Sequence, residues 1–325
     1  MTASHASILI APASHRTAGP VDQPWDAGSA TGLGLLKKLA PLALALGLAG
    51  CAGLSGGPGG SGSTAASSTA GSSTATAAAA PAVRAGTANP PRSILYVGNS
   101  FMYYNNSLHG MTNQLARGSV EGKAAQHRST SLTISGSGID WHDLESYLRP
   151  DGLGRYSFVG DNEVRFNPPG RQYDSVLLMD CSQCPVHPTL SKVFFEYSKK
   201  HSITARAKGV EPMFLMTWAY ADKPEMTQGL ADAYTEAGKQ NNAHVIPAGL
   251  AFAASMAKRP DINLYVPDKR HPSLAGSYLT AATMVASVWN VNPVGSKFTA
   301  GLPADVARHL QEVAWETTRR YHGRP

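Results

Sequence analysis

From about residue 92 onward, short apolar runs alternate with longer amphipathic stretches. Ile94 to Val97, Thr130 to Ser135, Ser175 to Asp180, "EPMFLMTW" at 211–218 and "HVIPAG" at 244–249 read as five strands. Between them, 107–118 places Leu108, Met111 and Leu115 at helical spacing. Residues 140–148 and 189–201 also read as helices, and 225–242 puts Met226, Leu230, Ala233 and Ala237 on one face. A helix from Leu274 to Trp289 buries Leu274, Tyr278, Ala282, Val285 and Trp289, and a last amphipathic helix spans about Pro303 to Tyr321. Near-continuous apolar strands alternating with helices predict a parallel sheet covered on both faces. The expectation is an α/β domain of three-layer, flavodoxin-like architecture with a mostly parallel five-stranded sheet. Residues 150–172, "PDGLGRYSFVGDNEVRFNPPGRQ", break the alternation and predict a hairpin or loop insertion.

The amino end has a different texture. Residues 1–25 are polar and aperiodic; Lys37 and Lys38 then precede "LAPLALALGLAGC". That apolar run falls short of the ~20 helical residues a bilayer span needs. A positive segment, a short apolar segment and small residues before Cys51 are similar to a bacterial lipoprotein signal with "LAGC" as its cleavage box. The resemblance implies cleavage before Cys51, acylation of that cysteine and, with Ala52 rather than Asp following, the outer membrane. Residues 51–92 are Gly, Ser, Thr and Ala with almost no apolar bulk, which predicts a flexible tether. The expected organisation is a signal with a long leader at 1–50, a tether at 51–92 and a globular domain at 93–325, leashed to the cell envelope through a lipid anchor.

Charge narrows the partners. The formal net charge is +6, but Lys and Arg are scattered, with no basic stripe of the kind nucleic-acid binders carry. Export implies an oxidising compartment. Of the three cysteines, Cys181 and Cys184 remain, in "CSQC". A local disulfide is the simplest reading. The alternatives are a redox pair, against which the surroundings are not thioredoxin-like, and a zinc site with His187, which lacks a second Cys/His pair at ligand spacing.

In open parallel sheets ligands bind beyond the carboxyl ends of the strands. Those ends carry Gly98, Asn99 and Ser100 after the first strand, Ser135 and Gly136 after the second, and Asp180, Ser182 and Gln183 after the third. Beyond the fifth strand and a helix comes "DKRHPSLAGSYL", with Asp268 and His271. A hydroxyl, an imidazole, a carboxylate and amide donors on one edge are the components of acyl transfer. Singly each has a plainer role: a Ser ending a strand is commonly a helix cap, and a Gly there commonly serves a turn. Asp140 and His142 could line the pocket or decorate a helix start. Asp180 could orient the loop of Gln183, and Trp218 and Tyr220 could form an apolar wall, a sugar platform or core.

In this order and at these positions the segments resemble the SGNH/GDSL hydrolases. "VGNSF" is similar to their first block, with Asn99 where the name-giving Asp usually stands. "ISGSG" looks like the second block, its glycine at Gly136, and "DKRHPSLAGSYL" like the last, D-x-x-H. The third block normally reads G-x-N-D; here "CSQCP" stands in its place, with Gln183 where the Asn would be. "SQCP", "TWAY" and "HPSLAGSYLTA" are similar to an esterase-like branch with carbohydrate-directed relatives. The resemblance implies Ser100 as nucleophile, His271 as general base and Asp268 as its orienting carboxylate, with the oxyanion held by the amides of Ser100 and Gly136 and the Gln183 side chain. It implies an esterase removing short, acetyl-like groups from an extracytoplasmic ester, with a glycan as a candidate carrier, and no metal or organic cofactor. Two other classes fit the same segments: a catalytically silent glycan-binding or structural lipoprotein, and an O-acyltransferase that delivers the acyl group to an alcohol.

Overall fold

The computed structural model describes residues 89–325; the signal segment, Cys51 and most of the tether expected above lie outside the described residues. The first strand, β1 (Ser93–Gly98), is buried along its whole length. Its side chains alternate between two cores: Ile94 and Tyr96 enter one, Leu95 and Val97 the other. A strand that is apolar on both faces can only sit inside a sheet with layers above and below. Its neighbours are β2 (Arg128–Thr133) on one side and β5 (Ser175–Leu178) on the other, followed by β6 (Glu211–Leu215) and β7 (His244–Ile246). The order is β2-β1-β5-β6-β7, and every pairing is parallel. Ile94 faces Ser129 and Ser175, and Val97 faces Leu132 and Leu178, so the ends of β1, β2 and β5 lie level.

Helices α2 (Leu108–Gly118), α6 (Ala248–Lys258), α7 (Leu274–Trp289) and α8 (Ala304–His322) cover the face of Ile94 and Tyr96. Helices α3 (Leu144–Tyr147), α4 (Leu190–Ala207) and α5 (Met226–Gln240) cover the other. This is the three-layer α/β architecture expected from the pattern, with the parallel five-stranded sheet at its centre. The segment that broke the alternation forms an antiparallel hairpin of β3 (Tyr156–Gly160) and β4 (Glu163–Phe166), separate from the main sheet.

Element boundaries depart from the pattern where backbone chemistry intervenes. The fifth strand is three residues long because Pro247, with no N–H to donate, sits at the cap of α6. Two residues on is Gly249; a Cβ there would lie 2.2 Å from the Thr217 carbonyl oxygen, so the helix can approach the segment after β6 this closely only with glycine. The fourth strand ends at Leu215, although Met216 still donates its N–H to Ile246. The second strand runs from Arg128 rather than Thr130 and is only half-buried, as an edge strand should be. The expected 140–148 helix divides into a 3-10 turn at 139–141 and the short α3, whose start Asp143 caps.

Beside β1 the core holds a neutral imidazole. His127 stacks on Trp289, donates its Nδ1–H to the Ala125 carbonyl and accepts from the Tyr96 hydroxyl at 2.7 Å. Burial lowers its pKa from 6.5 to about 4, the Ala125 bond opposing that shift only in part. A depressed histidine stabilises the fold above its unfolded pKa and loses that contribution as pH falls. Stability is therefore expected to drop between pH 6.5 and about 4. His127→Gln should flatten the drop by at most about 3 kcal/mol in denaturant melts at several pH values. An unchanged pH slope in the variant would remove His127 as a source of it.

Candidate active site

The site is built where β1 stops. Gly98 closes the strand, Asn99 takes an extended conformation, and Ser100 opens the one-turn helix α1 (Ser100–Tyr103). The Asn99 side chain does three things at once. Its Oδ1 accepts from the Phe101 N–H at 3.2 Å, capping α1. Its Nδ2 donates to the Ser137 carbonyl at 2.9 Å and to the Asp180 carbonyl at 3.2 Å. One buried amide thus ties the loops that follow β1, β2 and β5.

Further bonds lock the same junction. The Gly98 carbonyl accepts from the Ile134 N–H and from the Ser137 hydroxyl. With its proton so used, Ser137 Oγ accepts from His142 Nε2 at 3.0 Å. His142 is therefore a buried strut, held neutral by burial, which lowers its pKa to about 4. The Asp180 carboxylate, also buried, accepts from the Ile139 and Cys181 N–H groups at 2.8 and 2.7 Å. Burial raises its pKa to about 6 in spite of those two bonds. Asp180 thus orients the loops on either side of Ser100.

Onto this edge the loop after α6 brings Asp268 and His271. Ser100 Oγ lies 2.7 Å from His271 Nε2, and His271 Nδ1 is hydrogen-bonded to Asp268 Oδ2. The other carboxylate oxygen accepts from the backbone N–H groups of Arg270 and His271 at 2.8 and 2.9 Å. Partial desolvation pushes the Asp268 pKa up, but the His271 ring and these two N–H groups outweigh it and hold the carboxyl down at about 2. Between Asp268 and His271 the chain turns through Lys269 in the left-handed region, at φ 65°. The loop is pinned by Trp218, whose indole N–H donates to the Arg270 carbonyl, and by the bridge of Tyr265 with Pro272.

Aromatic rings surround the imidazole. Phe101 stacks on Trp218 at 4.7 Å and Trp218 on Phe252 at 4.2 Å, a buried column. Trp218 is fully buried and belongs to the core, so it offers no platform to a sugar. Phe101 meets His271 edge-on, and Tyr104 lies nearly parallel to the imidazole, 4.5 Å away. Tyr220 is buried too, bonded to the Ser182 hydroxyl at 2.7 Å and covered by the Arg270 guanidinium.

Of the residues singled out from sequence, Ser100, His271 and Asp268 come together. Gly136 sits at φ 71°, exposed and with open space where a Cβ would be. Gln183 is exposed at the start of a 3-10 turn, and its side chain makes no hydrogen bond among the described residues. Cys181 and Cys184 are joined in a disulfide, with their Cα atoms 5.2 Å apart. Their sulfurs are bonded to each other, and His187 Nδ1 accepts from the Thr189 and Leu190 N–H groups at the start of α4. Asp140 is exposed at the rim. Sequence reasoning missed the bridging role of Asn99 and the contacts of Tyr104 and Asn105. A hint lay in "YYNNS", since Asn tolerates the left-handed backbone that Asn105, Asn106 and Ser107 all adopt.

No protein-family model matches the sequence, and no curated protein does. Solved structures do. One is a protein from Slackia heliotrinireducens provisionally described as an SGNH hydrolase, at 20% identity over 60% of this chain and 97% of that one, TM-score 0.46. Another is a DUF4886 family protein from Bacteroides uniformis, at 16% identity over 72% and 96%, TM-score 0.49. A third is an acetylxylan esterase from Geobacillus stearothermophilus in a catalytic-mutant form, at 11% identity over 62% and 94%, TM-score 0.43. SGNH and GDSL hydrolases are thus among its structural neighbours. The likeness is distant, and function resides in the residues at the sheet edge.

The junction generates a prediction. Asn99→Ala removes a cap and strips the donor from two carbonyls in one step. It should destabilise the domain by about 2–4 kcal/mol in chemical denaturation. A loss below about 0.5 kcal/mol would show that water replaces the amide without penalty.

Proposed function

We propose that this chain is a serine ester hydrolase of the SGNH type. The observation that carries the reading is the continuous hydrogen-bond path from Ser100 Oγ through His271 to Asp268 at the carboxyl edge of the sheet. A neutral hydroxyl is a weak nucleophile, and His271 Nε2 stands where it can take the proton as Ser100 Oγ attacks an ester carbonyl. Asp268, ionised across the neutral range, accepts from Nδ1, selects the tautomer with Nε2 free and stabilises the imidazolium. The proton then passes to the departing alkoxide. Water attacks the acyl-enzyme by the same route reversed, releasing the acid and restoring Ser100.

The oxyanion is assigned to the backbone N–H groups of Ser100 and Gly136 with the Gln183 amide as third donor. Ser100 opens a helix, so its N–H has no partner within it, and the left-handed Gly136 leaves room beside the loop. The Cys181–Cys184 ring restrains the backbone from which Gln183 would reach. Short acyl groups on an extracytoplasmic glycan are the substrates, and Cys51 anchors the mature chain in the outer membrane. The acyl length, carrier and location follow from the motif resemblance and define which substrates to assay.

Ser100→Ala is expected to abolish turnover of a short-chain aryl ester while the thermal unfolding midpoint stays within a few degrees of wild type. Wild-type activity in that variant would overturn the mechanism. Gln183→Ala should lower kcat by about 10²–10³ with little change in KM, because the bond gains strength as charge develops on the oxygen. A loss of less than about threefold would remove Gln183 from the site and leave the oxyanion to backbone donors.

A further inference from the structure

The residues after α1 form a strap across His271. Asn105, Asn106 and Ser107 have φ of 53°, 64° and 72°, three successive non-glycine residues in the left-handed region. Such backbone is costly and persists where surrounding contacts demand it. The contacts are visible. Asn105 Nδ2 donates to the Pro272 carbonyl at 3.1 Å and to the Ser277 hydroxyl at 2.7 Å, both in the segment that carries His271. This tie draws Tyr104, the residue before it, over the imidazole: ring centroids 4.5 Å apart, planes 9° from parallel. A second ring contact of His271 is T-shaped, from Phe101, which stacks on the Trp218 and Phe252 column.

We infer that Tyr104 is a positioning residue for His271, a π face held against the imidazole so that the ring is fixed in plane and its protonated form is stabilised. The inference rests on the serine-hydrolase reading for its role in catalysis, but the contact itself is independent of activity. In that reaction His271 becomes a cation each time it takes the Ser100 proton, and a ring face close to a forming cation attracts it. The other groups facing His271 are accounted for. Asp268 bonds Nδ1 and Ser100 bonds Nε2. Of the loop's own cations, Lys269 pairs with Asp222 at 3.5 Å and Arg270 lies over the Tyr220 ring at 4.7 Å. Helix α1 contributes Ser100, Phe101, Met102 and Tyr103, and no charge. Of the two neutral rings against His271, Phe101 and Tyr104, it is Tyr104 that lies parallel to the imidazole and presents its face to the forming cation.

The test compares Tyr104→Leu with Tyr104→Phe. Leucine fills similar space without a π face; phenylalanine keeps the face and loses only the hydroxyl. The midpoint of His271 is read in two ways: by NMR titration of its ring protons, which needs no turnover, and by the acidic limb of the kcat/KM profile on an aryl ester. Tyr104→Leu should lower kcat/KM about tenfold and move the midpoint to lower pH by about one pH unit. Tyr104→Phe should keep the wild-type midpoint. An unmoved midpoint in the leucine variant would overturn the inference, as would a change confined to KM, which would make Tyr104 a substrate wall. If the ester assay fails in every protein but the NMR midpoint still falls in the leucine variant, the contact stands and the hydrolase reading is what fails.

Discussion

A single buried amide governs the working edge of this domain. Asn99 belongs to the turn that ends β1, yet its donor hydrogens go to the loops after β2 and β5. Those strands flank β1 in register, so their ends arrive level and the gaps between them are short enough for one side chain to bridge. Without the bridge, two carbonyls would face each other in a dry junction, and unmade bonds of that kind are expensive. With it, Ser100 leaves the strand in a fixed direction. Gly98, Ser137, His142 and Asp180 add their bonds to the same knot, and each is buried or nearly so.

The second half of the site obeys a different logic. His271 is separated from Ser100 by 171 positions in sequence and is carried on a loop rather than a strand. Its placement depends on side chains from elsewhere: Trp218 holding the Arg270 carbonyl, Asn105 holding that of Pro272, and Tyr104 and Phe101 packing against the ring. Asp268 can remain partly exposed because two backbone N–H groups and the imidazole already hold it ionised. Asp180 shows the contrary case. It accepts two comparable N–H bonds but lies in the interior, and burial lifts its pKa to about 6. The two carboxylates differ in burial and in the His271 ring that only Asp268 receives, and this separates a carboxylate that supports an imidazolium from one that braces a loop.

How much of this could be read beforehand follows from the length scale of each interaction. The apolar runs of β1, β5 and β6 announced a doubly covered parallel sheet because burial on both faces leaves a continuous hydrophobic signature that needs no knowledge of partners. The polar residues after them could be assigned to one edge because parallel strands all end on the same side. Local chemistry also decided the disulfide, since the two cysteines lie only three positions apart. Strand ends were less legible: Pro247 cut the last strand short, and β2, half-solvated, shifted by two residues.

The sequence by itself determined the layering of the domain and the edge on which Ser100, Asp268 and His271 would gather. Tertiary structure decided what those residues touch. Trp218 became core and a loop anchor, where the pattern allowed an aromatic platform. His142 became a strut, Asn99 a bridge and Tyr104 a cover for the imidazole. Gln183 lies exposed at the start of a 3-10 turn, beside the disulfide. The reason is physical: periodicity records whether a side chain meets water or protein, a property of one position, whereas a hydrogen bond or a ring stack requires two positions and the distance between them, which exists only once the chain has folded.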